Sequence, residues 1–358
     1  MRIGILTYHR ADNFGAVFQA FALVHYLRGE GHDAEIIDYR CKSIESCYDI
    51  FSPRILLSRR NVWKSLKQYF CRFENIQDRQ QRHLKFQQFR SQYLPMSNSV
   101  TTLERPLEYD VIITGSDQVW NFHLNKGSER VYLLDFPCSP KTKRIAYAAS
   151  SDRNGLNRVN QDVLQAALAR FDRISVRESF LSKALSPLVE KDIKVCLDPT
   201  FLLNKDTLKD LAKPIRDDKY ILVFHMTPIK DFLPLIHKVA ESKDAGVIEV
   251  FGGFQSHSNQ NLLCNWGPLE LLSLIANAES VFTTSFHGLS LSLILQKDVW
   301  VIDRGDNLRQ KNLLALAGIS NRMIKSPEDY KNVSIDYKQL QRNMEPAIEE
   351  SKRFLQLG

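Results

Sequence analysis

The chain contains 358 residues, of which 44% are hydrophobic and 25% charged, an ordinary composition for a soluble globular protein whose length predicts two domains. No apolar run approaches the about 20 residues of a membrane span, and Met1–Leu6 is typical of a first strand rather than a signal peptide. The six cysteines are scattered without a Cys-x-x-Cys pair, which argues against a zinc site and a disulfide framework and predicts reduced thiols in the cytoplasm.

The net charge of +7 is concentrated in one segment. Residues 54–90 hold ten Lys or Arg residues and two acidic residues, a local charge of +8, so the remainder of the chain carries −1. This distribution argues against nucleic acid as a partner. Within an insertion at 41–100, residues 62–73 and 80–93 have the periodicity of amphipathic basic helices. Their cations either meet anionic lipid headgroups or a polyprenyl-diphosphate acceptor, or face water while the helices pack on a sheet edge.

The chain begins with a β-α-β pattern. Ile3–Leu6 is a short apolar strand, Val17–Arg28 carries apolar residues at helical spacing, and Ala34–Tyr39 is a second strand. Such a unit predicts a parallel sheet with a right-handed crossover. The loop before the helix lacks the Gly-x-Gly-x-x-Gly fingerprint of dinucleotide sites, but Asn13 and Gly15 suit a backbone that turns sharply beside a ligand.

A strand at 109–114 ends in a dense set of polar side chains. Asp117, Gln118 and Asn121 follow it closely, and groups of this kind need hydrogen-bond partners when they are buried. Trp120 offers a flat apolar face that suits either a sugar ring or core packing. The stretch is therefore a candidate for sugar binding.

A further strand, 174–176, runs directly into Arg177 and Glu178. An arginine at the end of a strand is either half of a salt bridge with Glu178 or a neighbour, or a fork that binds carboxylate or phosphate. The first domain is predicted to span residues 1–203, and the charged segment 204–218 is predicted as a linker.

A second α/β domain is predicted over residues 219–335. Apolar runs predict strands at 220–225, which ends in His225, at 246–251 and at 298–303, and a helix at 268–276. Residues 336–358 predict a C-terminal helix that can pack back on the first domain. Two such domains with a cleft between them are common among sugar-transferring enzymes, although a fold alone does not fix a function.

The stretch 281–295 is the strongest candidate for a functional site. Val281–Phe282 predicts a buried strand, and the chain then passes through Thr283–Gly288 into an apolar helix. Where a strand ends and a helix begins in an α/β sheet, free N–H groups and the helix dipole attract phosphate or carboxylate. Ser285 can cap the helix, and His287 can transfer protons near neutral pH. The alternative is a capped helix with a structural histidine.

Taken together, these motifs resemble the polysaccharide pyruvyl transferase family. The resemblance rests on five segments in the family's order: Asn13–Ala16 with Gln19, Gly115–Asn121, Ser175–Glu178, Asp198–Thr200 and Thr284–Gly288. Each segment is weak alone, but the five together are specific and span nearly the whole chain.

The resemblance implies two Rossmann-like α/β domains with parallel sheets facing a cleft, similar to the GT-B glycosyltransferases. It implies transfer of pyruvate from phosphoenolpyruvate to two hydroxyls of a sugar, in a surface polysaccharide or its lipid-linked precursor, forming a cyclic ketal and releasing phosphate. Phosphoenolpyruvate is then a co-substrate, and neither a cofactor nor a metal is required, because arginines and helix dipoles can stabilise the leaving phosphate. A lipid-linked oligosaccharide acceptor would place the reaction at the inner face of the membrane, with residues 54–90 as the contact with anionic lipid.

The expected site residues combine the resemblance with the residue pattern. His287 is the expected proton-transfer residue, and Asp117 is expected either to act as base for an acceptor hydroxyl or to orient the sugar. The donor-binding candidates are Arg177, His225, Ser285, Phe286, Gly288 and Arg309, and the acceptor-binding candidates are Asn13, Gly15, Gln118, Trp120 and Asn121. Some family members carry arginine two residues before the histidine, where this chain has Ser285. Arg309, near a helix N-terminus where a cation is unfavourable unless it meets an anion, or another cation is expected to substitute.

Two other functions stay open at this point. A glycosyltransferase that uses a nucleotide sugar would need a diphosphate site and a carboxylate for the ribose, which Glu270 or Asp303 can supply. A non-catalytic carbohydrate-binding component of an envelope-assembly complex would need neither.

Overall fold

The computed structural model describes residues 1–48, 76–252, 265–305 and 307–357. The chain divides into two units. The described residues of the first, called the N-unit, are 1–48, 90–202 and 347–357, and those of the second, called the C-unit, are 76–89, 203–252, 265–305 and 307–346.

The N-unit is built on a parallel sheet of six strands in the order β2-β1-β3-β4-β5-β6. The strands are β1 Arg2–Leu6, β2 Asp33–Ile36, β3 Val111–Thr114, β4 Lys143–Ala149, β5 Arg173–Val176 and β6 Ile193–Val195. The helices are α1 Phe14–Gly29, α2 Lys42–Tyr48, α3 Ile76–Tyr93, whose first part belongs to the C-unit, α4 Glu129–Tyr132, α5 Gln161–Ala169 and α6 Ser179–Leu185. The 3-10 turns are Gly155–Arg158, Ser186–Leu188 and Pro199–Leu202.

The C-unit carries a second parallel sheet, of five strands in the order β11-β10-β9-β7-β8. The strands are β7 Tyr220–His225, β8 Gly246–Phe251, β9 Ser280–Thr283, β10 Val299–Ile302 and β11 Met323–Ile324. The helices are α7 Lys205–Leu211, α8 Leu233–Ser242, α9 Pro268–Asn277, α10 Phe286–Ile294, α11 Leu308–Leu316 and α12 Tyr337–Phe354, whose last part belongs to the N-unit, and the 3-10 turns are Ser320–Arg322 and Pro327–Asp329. The prediction of two α/β domains with parallel sheets is confirmed.

Burial explains why these residues form parallel strands. Ile3 and Ile5 in β1, Ile113 in β3, and Val223 in β7 have no exposed surface, as expected for strands covered on both faces by helices. In each sheet the order in which successive strands are added reverses beside the first strand, between β1 and β3 in the N-unit and between β7 and β9 in the C-unit. The carboxyl ends of strands flanking such a reversal are where open α/β sheets bind ligands.

Helix caps shift two of the predicted boundaries. α1 begins at Phe14 rather than Val17 because the Asn13 side chain accepts a hydrogen bond from Ala16 N at 3.2 Å. The linker predicted at 204–218 contains helix α7, since the Asn204 Oδ1 accepts from Thr207 N at 2.7 Å and Leu208 is buried. The local cap and the buried leucine outweigh the charged composition there.

The cations of helix α3 are mostly internal. The prediction that the basic residues of this segment merely face water is wrong for Arg79, Arg82 and Arg90, which are buried. Arg82 Nη2 donates to Gly252 O at 3.1 Å, and Arg90 Nη1 donates to Asp12 Oδ1 at 2.9 Å. Residues 62–73, predicted as a companion helix, lie outside the described part of the chain. Across the described residues, every helix is too short or too polar to traverse a lipid bilayer.

Candidate active site

The end of strand β9 is bonded tightly to its neighbour β7. Thr283 Oγ1 donates to Phe224 O at 2.6 Å and accepts from Ser285 N at 2.9 Å. Thr284 Oγ1 accepts from Met226 N at 2.8 Å. Two consecutive threonines therefore fix the turn that leads into α10, at the point where the strand order of the C-unit sheet reverses.

Ser285 starts helix α10, as predicted for a cap. Its backbone is extended, and its Oγ accepts from Gly288 N at 3.2 Å, satisfying one of the N–H groups at the helix N-terminus. Gly288 is required by close packing, because a Cβ there would lie 2.5 Å from Thr283 Oγ1 and 2.7 Å from Phe224 Cδ1. The helix N-terminus is thus drawn close to strands β7 and β9.

His287, Phe286 and Arg309 lie together at this helix start. His287 is 9% exposed, and its ring meets the Phe286 ring edge-on at 5.1 Å between centroids. The Arg309 guanidinium lies 5.9 Å from the Phe286 ring centroid. The next residue, Gln310, donates from Nε2 to Thr284 O at 3.1 Å and so ties the first turn of α11 to the Thr283–Gly288 loop. A cation, a histidine and a helix N-terminus therefore share one corner of the C-unit.

His225 ends strand β7 at the same edge of the sheet, but its ring is engaged within the protein. Nδ1 lies 2.9 Å from Thr227 O, and Nε2 lies 2.8 Å from Glu249 Oε1. The ring also contacts Phe251. Nδ1 is thus engaged by a backbone carbonyl and Nε2 lies beside a carboxylate, so in this arrangement His225 supports the strand end and faces a negative charge rather than an anion site.

In the N-unit, Asp117 is held in an unusual backbone conformation. Its φ is +67°, in the left-handed region that aspartate tolerates better than most residues. Its carbonyl accepts from Val119 N at 2.8 Å and Ser150 N at 2.9 Å, and its Oδ1 accepts from Gln118 N at 2.8 Å. Asp117 is partly exposed, and no hydrogen bond within the described residues occupies Oδ2. That oxygen is the part of the turn that can meet a ligand.

Two of the predicted acceptor contacts are corrected by burial. Trp120 has no exposed surface, its Nε1 donates to Tyr132 O at 3.1 Å, and its ring meets Phe171 edge-on, so it packs in the core and does not bind a sugar. Asn121 is also buried, and its Nδ2 donates to Gln118 Oε1 at 2.8 Å and to Asp152 Oδ2 at 2.9 Å. Both residues shape the turn from inside.

Of the other acceptor candidates, Asn13 and Gly15 lie at the start of α1, and Gln118 lies in the turn after β3. Asn13 caps α1, and Gly15 is a buried residue in the first turn of that helix, so the sharp turn predicted at Gly15 is wrong. Gln118 is partly exposed, and its carbonyl accepts from the Tyr8 hydroxyl at 2.9 Å. Of this group, Gln118 is the one that the structure leaves beside the accessible Asp117.

Arg177 forms the salt bridge that was the alternative to donor binding. Nη1 donates to Asp198 Oδ2 at 2.6 Å, Nη2 to Ser150 Oγ at 2.8 Å and Nε to Glu178 Oε1 at 3.2 Å, and the side chain is 4% exposed. Burial acts against its charge, but Glu178 and Asp198 outweigh burial and raise the pKa of Arg177 above its ordinary value. All three guanidinium nitrogens donate to groups within the protein, and the side chain is buried. The prediction that Arg177 binds the donor is therefore wrong for this arrangement.

Sequence reasoning missed a buried cluster after strand β1. His9 is buried, with Nε2 at 2.8 Å from Asp38 Oδ1 and Nδ1 at 3.1 Å from Thr7 O. Arg10 Nε donates to the same carboxylate at 2.7 Å. Burial alone would raise the pKa of Asp38, but the hydrogen bonds from His9 and Arg10 outweigh it and hold that pKa well below its ordinary value. The available signal was that His9 follows the first predicted strand of one β-α-β unit and Asp38 lies near the end of the second.

The comparisons with known proteins bear on the whole chain. A family model described as polysaccharide pyruvyl transferase matches residues 13–307, most of the sequence. No curated protein matches the chain.

Solved structures resemble the fold at low sequence identity. UDP-GlcNAc 2-epimerase from Methanocaldococcus jannaschii is 14% identical, with 100% of each chain covered and a TM-score of 0.47. A protein from Klebsiella pneumoniae is 14% identical over 68% of this chain and 85% of its own, with a TM-score of 0.42. The glycosyltransferase SnogD from Streptomyces nogalater is 12% identical, covering 99% of this chain and 96% of its own, with a TM-score of 0.39.

Proposed function

Because the chain belongs to the polysaccharide pyruvyl transferase family and is therefore a transferase, we propose that it moves pyruvate from phosphoenolpyruvate to two hydroxyls of one sugar. The product is a cyclic ketal on a surface polysaccharide or its lipid-linked precursor, and inorganic phosphate is released. The observation that carries the proposal is the grouping of His287, Arg309 and the capped start of α10 at the sheet reversal of the C-unit.

The C-unit corner suits an anionic donor. Phosphoenolpyruvate carries a phosphate and a carboxylate, which are attracted by the N–H groups and dipole at the N-terminus of α10. Arg309 is the second residue of α11, a position where the dipole of its own helix opposes a cation. An anion bound beside the loop offsets that cost. Arg309 thereby supplies the charge that some relatives place at the position of Ser285.

The reaction needs one proton given and two taken. His287 donates a proton to C3 of phosphoenolpyruvate, which turns the methylene into a methyl group and makes C2 oxocarbenium-like. A sugar hydroxyl adds to C2 and loses its proton, the C2–O bond to phosphate breaks, and a second hydroxyl adds and loses its proton to close the ketal. One released proton restores His287 and the other leaves with phosphate, so the sequence balances without a redox step.

The N-unit supplies the acceptor side in this proposal. Asp117 Oδ2 accepts the proton of the attacking hydroxyl and passes it to the departing phosphate, and Gln118 hydrogen-bonds the sugar beside it, so that the proton of the second hydroxyl is the one that restores His287. The turn is flanked by Glu178 and Asp198 with one cation, Arg177, between them, so the local charge favours a neutral polyhydroxyl group over a second anion. Arginine and helix-dipole stabilisation of the leaving phosphate requires no metal or cofactor.

The decisive experiment is turnover of phosphoenolpyruvate labelled in the pyruvyl carbons. The wild type, given lipid-linked galactosides and other neutral acceptors, is expected to release phosphate and to transfer label to the acceptor. His287→Gln is expected to abolish both while the thermal unfolding midpoint stays close to wild type. His237→Gln, on the exposed face of α8, is the matched control and should keep full activity. Absence of phosphate release with every acceptor, or turnover by His287→Gln, would contradict the proposal.

The two carboxylates that the nucleotide-sugar alternative would need for a ribose are bonded within the protein. Glu270 Oε1 lies 2.6 Å from Lys85 Nζ, and its Oε2 accepts from Gly267 N at 3.1 Å. Asp303 accepts from Gly305 N and Asn307 Nδ2, each at 2.9 Å, and pairs with Lys311 at 3.0 Å. A labelled nucleotide sugar in the same assay tests this alternative. The non-catalytic alternative predicts acceptor binding without phosphate release.

A lipid-linked acceptor places the proposed reaction in the cytoplasm, at the inner face of the membrane. The cations of residues 54–90 were the predicted contact with anionic lipid. In the described part of that segment Arg82, Lys85 and Arg90 are bonded to Gly252 O, Glu270 and Asp12. The proposal of a lipid contact therefore concerns residues 54–75, which lie outside the described residues.

A further inference from the structure

Gln19 is a polar side chain buried in helix α1, and both its amide nitrogen and its carbonyl oxygen are hydrogen-bonded. It has no exposed surface. Its Nε2 donates to Thr7 Oγ1 at 2.7 Å and to Ala16 O at 2.9 Å, and its Oε1 accepts from Ser116 N at 3.1 Å. Placing a carboxamide in a core costs free energy unless such bonds are made, so a helix that only needed packing would favour an apolar residue here.

Thr7 completes the grip on Ser116. The hydroxyl accepts from Gln19 Nε2 and donates to Ser116 O at 3.2 Å. Gln19 thus holds the N–H of Ser116 and Thr7 holds its carbonyl, so both backbone groups of one residue are fixed by two side chains. Those side chains also bond to each other, which makes their positions interdependent.

The direction of each bond allows one chemical arrangement. Two of the three partners of Gln19 require a donor and the third requires an acceptor, which a carboxamide satisfies and a carboxylate does not. Thr7 in turn must accept from Gln19 and donate to the Ser116 carbonyl. Glutamate at 19 or valine at 7 keeps the volume but breaks the chain of bonds.

Ser116 directly precedes Asp117, which is also held from its other side. The Asp117 carbonyl accepts from Ser150 N at the end of β4, and Ser116 Oγ donates to Ala148 O at 2.8 Å. The left-handed backbone of Asp117 is a strained conformation that persists only where its surroundings over-determine it. The bonds from β1 and α1 on one side and from β4 on the other supply that constraint.

We infer that Gln19 and Thr7 form a clamp whose task is to aim the Asp117 carboxylate at the acceptor hydroxyl. The clamp rests on the proposed function, in which Asp117 takes the proton of that hydroxyl. Both members are positioning residues, since they reach the acceptor through the Ser116–Asp117 backbone and touch no substrate themselves. A small displacement of a base relative to its proton lowers the rate steeply, so the clamp acts on kcat rather than on donor binding.

The test compares Thr7→Val with Thr142→Val. Thr142 is also buried in the N-unit and donates from Oγ1 to Tyr109 O at 2.7 Å, but it lies at the amino end of β4, away from the Asp117 turn. Each change removes one buried hydroxyl at nearly constant volume, with its bonds to Gln19 and Ser116 at Thr7 and its bond to Tyr109 at Thr142. Thr7→Val and Gln19→Met are expected to lower kcat roughly tenfold to a hundredfold. KM for phosphoenolpyruvate should stay unchanged, and the acid limb of the pH–rate profile should move.

Thr142→Val is expected to keep kcat and the pH profile of the wild type. The double variant Thr7→Val with Gln19→Met should be no slower than Gln19→Met alone, because each single change already opens the clamp. Should Gln19→Met fail to fold, Thr7→Val carries the test by itself. Equal kcat for Thr7→Val and Thr142→Val, or an unshifted pH profile in both clamp variants, would overturn the inference. A wild type that releases no phosphate at all would instead overturn the proposed function, so the two failures are distinguishable.

Discussion

Two arginines of this chain, Arg177 and Arg309, stand at the starts of helices and meet opposite surroundings. Arg177 precedes α6, and its three nitrogens are bonded to Asp198, Ser150 and Glu178 in a buried cluster. Arg309 is partly exposed in the first turn of α11, where its guanidinium contacts the Phe286 ring beside His287. At the residue scale, burial and its bonds to two acidic residues assign Arg177 to stability, whereas the partial exposure of Arg309 beside Phe286 is what allows the proposal to give it the donor anion.

Removing Arg177 should therefore damage the fold before it affects donor affinity. Arg177→Met leaves Asp198 and Glu178 buried without their cation, which is expected to lower the free energy of unfolding by about 3–5 kcal/mol. The matched control is Arg158→Met, because the pair between Arg158 and Glu129 is substantially exposed and should contribute less than about 1 kcal/mol. Urea denaturation of both variants measures the difference. A variant of wild-type stability with a raised KM for phosphoenolpyruvate would restore Arg177 to the donor site.

At the scale of single elements, the start of α10 shows how close packing reverses an ordinary helix preference. Alanine stabilises most helix interiors relative to glycine because it restricts the unfolded chain. At Gly288, however, the space for a methyl group is occupied by the Thr283 hydroxyl and the Phe224 ring. The loop and the helix are therefore matched in shape, and that match is what keeps the N–H groups of the helix start in place.

Two glycine substitutions should consequently have opposite effects. Gly288→Ala is expected to lower stability by about 1–3 kcal/mol through overpacking and to weaken protection by phosphoenolpyruvate in thermal unfolding. Gly29→Ala, in the last residue of α1 where no atom lies within 4 Å of the added Cβ, should raise stability by up to about 1 kcal/mol. Thermal melts with and without phosphoenolpyruvate measure both effects. Stabilisation by both alanines would show that the packing around Gly288 yields easily.

For the molecule as a whole, the alternation of apolar runs and amphipathic segments was enough to predict two parallel sheets, because it is a local property of the chain. The strand–cap–helix at 280–294 was predictable for the same reason, since its cap and its helix lie within ten residues of each other. The partners of Arg177 and the burial of Trp120 were not, because Asp198 and Phe171 are distant in sequence. Nor could the sequence predict that residues 76–89 belong to the C-unit, because that grouping depends on contacts such as the one between Arg82 and Gly252, which are 170 residues apart.

The carboxylate of Asp38 should contribute to the acid sensitivity of the N-unit. The pKa of Asp38 is lowered in the folded state, so its contribution to stability is present above the unfolded pKa of about 3.9 and is lost as the pH falls below that value. Asp38→Asn is expected to be less stable than the wild type at neutral pH and to lose less stability between about pH 5 and pH 2. Asp33→Asn, at an exposed residue of β2, should parallel the wild type. Urea denaturation at each pH provides the measurement, and parallel curves for Asp38→Asn and wild type would refute the assignment.

The buried arginines of α3 belong to the folded interior, although the sequence counts them in one strongly basic segment. The sequence pI of about 9.0 counts the charges of Arg82 and Arg90 in the same way as those of Arg59 or Lys64. In the structure, however, Arg82 is bonded to Gly252 O and Arg90 to Asp12. Reversing the sign of Arg82 or Arg90 would place an acidic group in the interior, and any loss of lipid or polyanion binding would then report misfolding. A charge-reversal test of lipid binding should therefore leave Arg82 and Arg90 unchanged, because the described helix α3 belongs to the framework.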